Sequence, residues 1–60
     1  MEQRITFAEI NENESFESGG KLFKVIYKVP LGVHCEVLDN ELNKIDEESI
    51  AFPFNGRRKG

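Results

Sequence analysis

Tryptophan is absent from this sequence, and histidine, cysteine, methionine and tyrosine each occur once. A single cysteine cannot close an internal disulfide, which removes the staple on which many small secreted domains depend. One cysteine beside one histidine falls short of the four or so paired ligands of a structural zinc site. No apolar run approaches the roughly 18 residues of a membrane span, and Met1-Glu2-Gln3-Arg4 does not read as a signal peptide. The expectation is a cytoplasmic protein with no membrane association.

The chain has 60 residues, of which 38% are hydrophobic and 32% charged, with five phenylalanines among them. That composition is too apolar for a disordered tail and the length admits one domain. A chain this short buries only about 60% of its unfolded surface, so little room is left for an enclosed active site. The net charge of −3 hides a patchy distribution. Residues 1–18 carry five acidic side chains against Arg4, and 39–52 carry five against Lys44. Between them lie Lys21, Lys24 and Lys28 against Glu36, and Arg57-Arg58-Lys59 follow at the end. A mimic of DNA would need a dense surface of one sign, which this pattern does not provide.

Period-two alternation between Lys21 and Leu38 is the main structural signal. Phe23, Val25, Tyr27 and Val29 fall on one side of an extended strand, and Val33, Cys35 and Val37 repeat the pattern. Gly19-Gly20 suits a two-residue turn with positive φ at both positions, which would set Phe16 opposite Phe23. Pro30-Leu31-Gly32 fits a three-residue loop pairing Val29 with Val33, Tyr27 with Cys35 and Val25 with Val37. On the outer face, Lys28 would then oppose His34 and Lys24 would oppose Leu38.

Around this meander, Arg4–Phe7 reads as a short strand, Ile10 as an inward-pointing turn residue, and residues 11–14 as a polar loop. Leu42–Ile45 reads as a brief strand, 46–49 as a single helical turn because acidic residues suit a helix start, and 50–52 as a last strand stopped by Pro53. The expected fold is all-β: a small, strongly bent antiparallel sheet of about five short strands forming an SH3-like barrel, whose closure protects its edges. Residues 1–54 would form the domain and 55–60 a mobile basic tail.

Catalytic and metal constellations are not evident. His34 and Cys35 are strand neighbours pointing to opposite faces, so they would not converge as a dyad; Cys35 reads as a small core residue and His34 as a surface imidazole. Ser15, Ser18 and Ser49 have no base at suggestive spacing, the acidic loops lack calcium-loop spacing, and Gly19-Gly20 lacks the lysine partner of a phosphate loop. The expectation is therefore a chain that is not an enzyme and takes no cofactor or metal. Ile26 and Leu38 share the outer face; core on the second side of a curled sheet is favoured, with an exposed patch as the alternative. Phe52 is expected to be buried and Phe54 partly exposed.

Thr6-Phe7, Ile10, Glu14-Ser15-Phe16, Gly20 and Phe23-Lys24-Val25 together resemble a pattern in very short phage and prophage accessory proteins, over roughly residues 5–38. Asn13 stands where that family commonly has glycine, and asparagine tolerates the left-handed conformation such a turn needs. The resemblance implies a mobile-element setting in which small proteins bind and redirect a host protein. The function expected is a protein-binding module, a phage-encoded modulator or inhibitor of a host enzyme or defence complex. Glu12, Glu14, Glu47, Glu48 and Phe54 are its candidate contacts. The alternative is a nucleic-acid-binding barrel using Lys24, Lys28, His34, Arg57, Arg58 and Lys59. Either form would be a monomer or a homodimer.

Overall fold

The computed structural model describes residues 3–59, with the backbone alone described for Lys59. Six strands, β1 (Gln3–Ile5), β2 (Ser15–Ser18), β3 (Lys21–Val29), β4 (Gly32–Leu38), β5 (Lys44–Ala51) and β6 (Phe54–Lys59), make one antiparallel sheet in the order β1-β6-β2-β3-β4-β5. The sheet is strongly curled. Ile5 from one edge strand and Val33 from the far side share one core with Ile10, Phe16, Phe23, Val25, Cys35, Val37 and Phe54. Phe7, just after β1, meets Phe52, just after β5, edge-on at 5.9 Å. Among the described residues no ladder joins β1 to β5.

The β2–β3 hairpin forms as its sequence dictates. Gly19 and Gly20 adopt φ of 59° and 80°, and Phe16 pairs with Phe23. Their rings stack at 5.1 Å, and Phe54 lies 4.9 Å from Phe16 on its other side. Burying such a ring contributes on the order of 2 kcal/mol, so this triplet anchors a small core. Asn13 takes the left-handed conformation at φ 69°, and its N–H donates to the Val25 carbonyl at 2.9 Å.

The β3–β4 hairpin departs from the expected register. Its loop is the two residues Pro30-Leu31, since Val29 pairs with Gly32, Lys28 with Val33 and Tyr27 with His34. Beyond a bulge at Ile26, Val25 pairs with Cys35 and Phe23 with Val37, so none of the expected pairs Val29–Val33, Tyr27–Cys35 and Val25–Val37 forms. An extra residue reverses the alternation beyond it. Phe23 and Val25 therefore face the core, while Tyr27 and Val29 are exposed. Lys24 now opposes Glu36 rather than Leu38. Lys28 moves to the core-side rim, where its ammonium donates to the Phe7 carbonyl at 3.0 Å and the Ile10 carbonyl at 2.8 Å. It also lies 4.3 Å above the Phe7 ring. Ile26 is exposed at the bulge and Leu38 is half-buried outside the core cluster, so neither completes the core.

The C-terminal third also differs from expectation. Residues 46–49 form no helical turn; they lie within the continuous strand β5, where pairing with β4 satisfies the backbone groups on one side and outweighs acidic helix-start propensity. The helical turn is instead a 3₁₀ turn at Phe7–Glu9, where the Glu9 carboxylate accepts from the Thr6 hydroxyl at 2.7 Å. Of the expected tail, residues 55–60, Asn55 to Lys59 belong to strand β6, inserted between β1 and β2, and Gly60 lies outside the described residues. Phe54 and Gly56 are buried there, and a Cβ on Gly56 would stand 3.1 Å from the Glu17 carbonyl oxygen. Glycine is what allows β6 this close to β2.

Candidate functional site

The register that frees Tyr27 from the core builds a surface across β3, β4 and β5. Tyr27 pairs with His34, and His34 with Ser49, placing the three in one row on the outward face. The tyrosine and imidazole rings stack at 5.2 Å with 20° between their planes. His34 Nδ1 lies 3.0 Å from Ser49 Oγ, and Nε2 lies 3.0 Å from Glu47 Oε1. The other Glu47 oxygen accepts from the Lys44 ammonium. That hydrogen bond, reinforced by His34, holds the Glu47 carboxyl below its ordinary range and raises the Lys44 ammonium above its own.

Serine, histidine and glutamate in series are the contacts of a nucleophile relay. Here they stand on a solvent-facing sheet surface, and His34 and Ser49 also line the open depression beside it. What the series does is fix the imidazole in one orientation and present the Tyr27 ring beside it.

Next to this row is a shallow depression of about 290 Å³, lined by Tyr27, Val29, Leu31, His34, Ile50 and Ala51 among others. Leu31, at the loop tip, is 82% exposed, and Tyr27 and Val29 are 47% and 40% exposed. These side chains line one depression and so form a joined apolar patch rather than scattered singles. β5 borders the patch as an edge strand, paired on one side with β4. Glu47 lies on the outward face of that border, whereas Asp46 and Glu48, paired with Val37 and Cys35, lie on the other face of the strand.

Of the expected contact residues, Glu47 lies on the outward face of this border and Glu48 on the other face of β5. Glu48 reaches Lys21 at 3.2 Å, near the Gly19-Gly20 end of the β2–β3 hairpin. Glu12 is exposed in the loop at the opposite end of β2. Glu14 beside it accepts the Asn11 N–H at 2.7 Å and lies 3.8 Å from Arg58 Nε. The two acidic groups are thus separated by β3 and β4 and do not make one patch. Phe54 is buried against Phe16 and Phe52, so it serves the core and offers no external anchor, while Phe52 is the partly exposed one.

The basic set is also dispersed. The Lys28 ammonium is committed to two carbonyls, His34 to Ser49 and Glu47, and the Arg58 guanidinium to the Glu9 carbonyl. Lys24 and Arg57 are exposed, and the Lys59 side chain lies outside the described atoms. Cys35 is fully buried, and burial, aided by the charge of Glu48, pushes its thiol up to about 11. Among the described residues no three His, Cys, Asp or Glu side chains converge as a metal site, and no helix is long and apolar enough to cross a membrane.

Tyr27, Val29, Leu31 and Ser49 are the surface residues that sequence reasoning passed over. The signal was the Pro30-Leu31 pair: a two-residue loop instead of three shifts the register and brings Tyr27, His34 and Ser49 together. No family model matches the chain, and no curated protein or solved structure is significantly similar to it.

Proposed function

We propose that this chain is a non-enzymatic protein-binding module that takes its partner on the outer surface of β3, β4 and β5. The observation that carries this reading is the joined patch of Tyr27, Val29 and Leu31 beside the depression, left in water by a chain with few apolar residues to spare. Fixing Tyr27 against His34 before binding lowers the ordering cost of an aromatic anchor. A curled sheet of this size, the scaffold of SH3-like barrels, is suited to display such a patch. The resemblance to short phage accessory proteins adds the setting: a phage-encoded modulator or inhibitor of a host enzyme or defence complex, acting in the host cytoplasm. Nucleic-acid binding is the weaker reading, because Lys28, His34 and Arg58 are already engaged within the fold.

The test is a nuclease-treated pull-down with tagged wild-type chain and with Leu31→Asp, a substitution at an exposed loop tip. A near-stoichiometric protein retained by the wild type and lost by the variant is the expected result. A partner held equally by both, or one that disappears with nuclease, contradicts the proposal.

A further inference from the structure

We infer that β5 is a docking edge for an extended, basic segment of a partner protein, which adds to the sheet as a seventh strand. This deepens the binding-module reading and rests on it. β5 spans eight residues, Lys44–Ala51, and its only ladder among the described residues is with β4. An edge of that length offers a row of backbone donors and acceptors to another chain. Its side chains supply the selectivity. Asp46, Glu47 and Glu48 are consecutive acids and Glu36 stands beside Glu47 in the ladder; Lys44 pairs with Glu47 and Lys21 with Glu48, which leaves Asp46 and Glu36 without an ion-pair partner among the described residues. An incoming strand therefore meets negative charge along its middle. Towards Ala51 it meets the apolar depression around Leu31 and Val29.

The same charges decide between occupants. If two copies paired β5 with β5 across a two-fold axis centred on the acidic run, Glu47 of one would face Glu47 of the other, and Asp46 of each would face Glu48. Like charges placed directly opposite repel, so a second copy is disfavoured. A segment carrying lysine or arginine at alternate positions, with an apolar residue to enter the depression, fits both halves of the strand.

The experiment titrates the isotope-labelled chain with a blocked eight-residue peptide alternating lysine and valine and ending in leucine, followed by amide NMR and hydrogen exchange. The expected result is that Lys44–Ala51 amides shift and exchange more slowly, at least fivefold at saturation. The glutamate–valine counterpart should leave them unchanged. Glu47→Lys with Glu48→Lys should weaken peptide binding roughly tenfold. Should that variant misfold, raising salt to about 0.5 M with the wild type is expected to weaken binding as well.

Equal response to both peptides, or shifts scattered over the surface without new protection in β5, overturns the proposal. A silent β5 overturns it even where Leu31→Asp abolishes partner capture; that pair of results keeps the docking face and discards the added strand. Peptide-dependent protection of β5 alongside a partner indifferent to Leu31→Asp supports the edge and defeats the face reading instead.

Discussion

Leu42 holds φ of 68° at the tip of the β4–β5 hairpin and is 66% exposed. A large side chain in the left-handed region costs about 1–2 kcal/mol, a cost that glycine avoids. The turn survives because the Asp39 carboxylate accepts the N–H groups of Glu41 and Asn43, both at 2.9 Å. Leu42→Gly should therefore raise stability by on the order of 0.5–1 kcal/mol, after allowing for glycine's looser unfolded state, and urea denaturation reads this directly. Asp39→Ala should lower it by about 1–2 kcal/mol, since two backbone donors lose their acceptor.

Cys35 gives a second prediction at this scale. Its folded thiol titrates near 11, above the ordinary 9. A group raised in the folded state contributes stability that is complete below the unfolded value and is lost as pH climbs towards the folded one. Stability should fall between pH 9 and 11 by on the order of 2 kcal/mol through this residue alone. Cys35→Val should remove that part of the decline, visible as a flatter difference between denaturation curves at the two pH values. Native thiol alkylation should be slow at neutral pH, where the group is both protonated and buried.

Among the elements, those governed by local chemistry were readable in advance and those governed by neighbours were not. Gly19-Gly20, the Phe16–Phe23 pair, the inward Ile10 and the left-handed Asn13 each follow from residues within a few positions. The bulge at Ile26 does not. It is favoured once Lys28 can reach the Phe7 and Ile10 carbonyls, a contact between segments about 20 residues apart in the chain. Nor is β6 legible, because Asn55-Gly56-Arg57-Arg58 looks like a polar tail until β1 and β2 supply partners on both sides. Tyr27 joined the surface by the same bulge, so the candidate site inherited the misreading of the register.

The junction between β4 and β5 can be tested as an element. A Cβ at Gly32 would stand 2.1 Å from the Ile50 carbonyl oxygen, a backbone atom that cannot rotate away. Gly32→Ala should cost about 1–3 kcal/mol, with faster hydrogen exchange concentrated in Lys44–Ala51. Uniform loss of protection across all strands would contradict the local account.

At the scale of the whole molecule, a single core has to hold six strands, and its margin is small. On the proposed binding role, the exposed apolar side chains serve as contact surface rather than spare material. Acidic β5 and exposed Leu31 lie on one side of the curled sheet. Arg57, exposed in β6, lies four ladders from β5 in the strand order. Sedimentation should give the monomer mass over a wide concentration range, because self-pairing of β5 sets acid against acid; a concentration-dependent dimer would contradict that expectation.

Hydrogen–deuterium exchange on the chain with and without its captured partner tests the central claim most directly. Exchange should slow across residues 27–34 and 44–51, with the rest of the sheet little changed. Protection confined to the 11–14 loop or to β6, with β5 and the Pro30-Leu31 loop untouched, would contradict it.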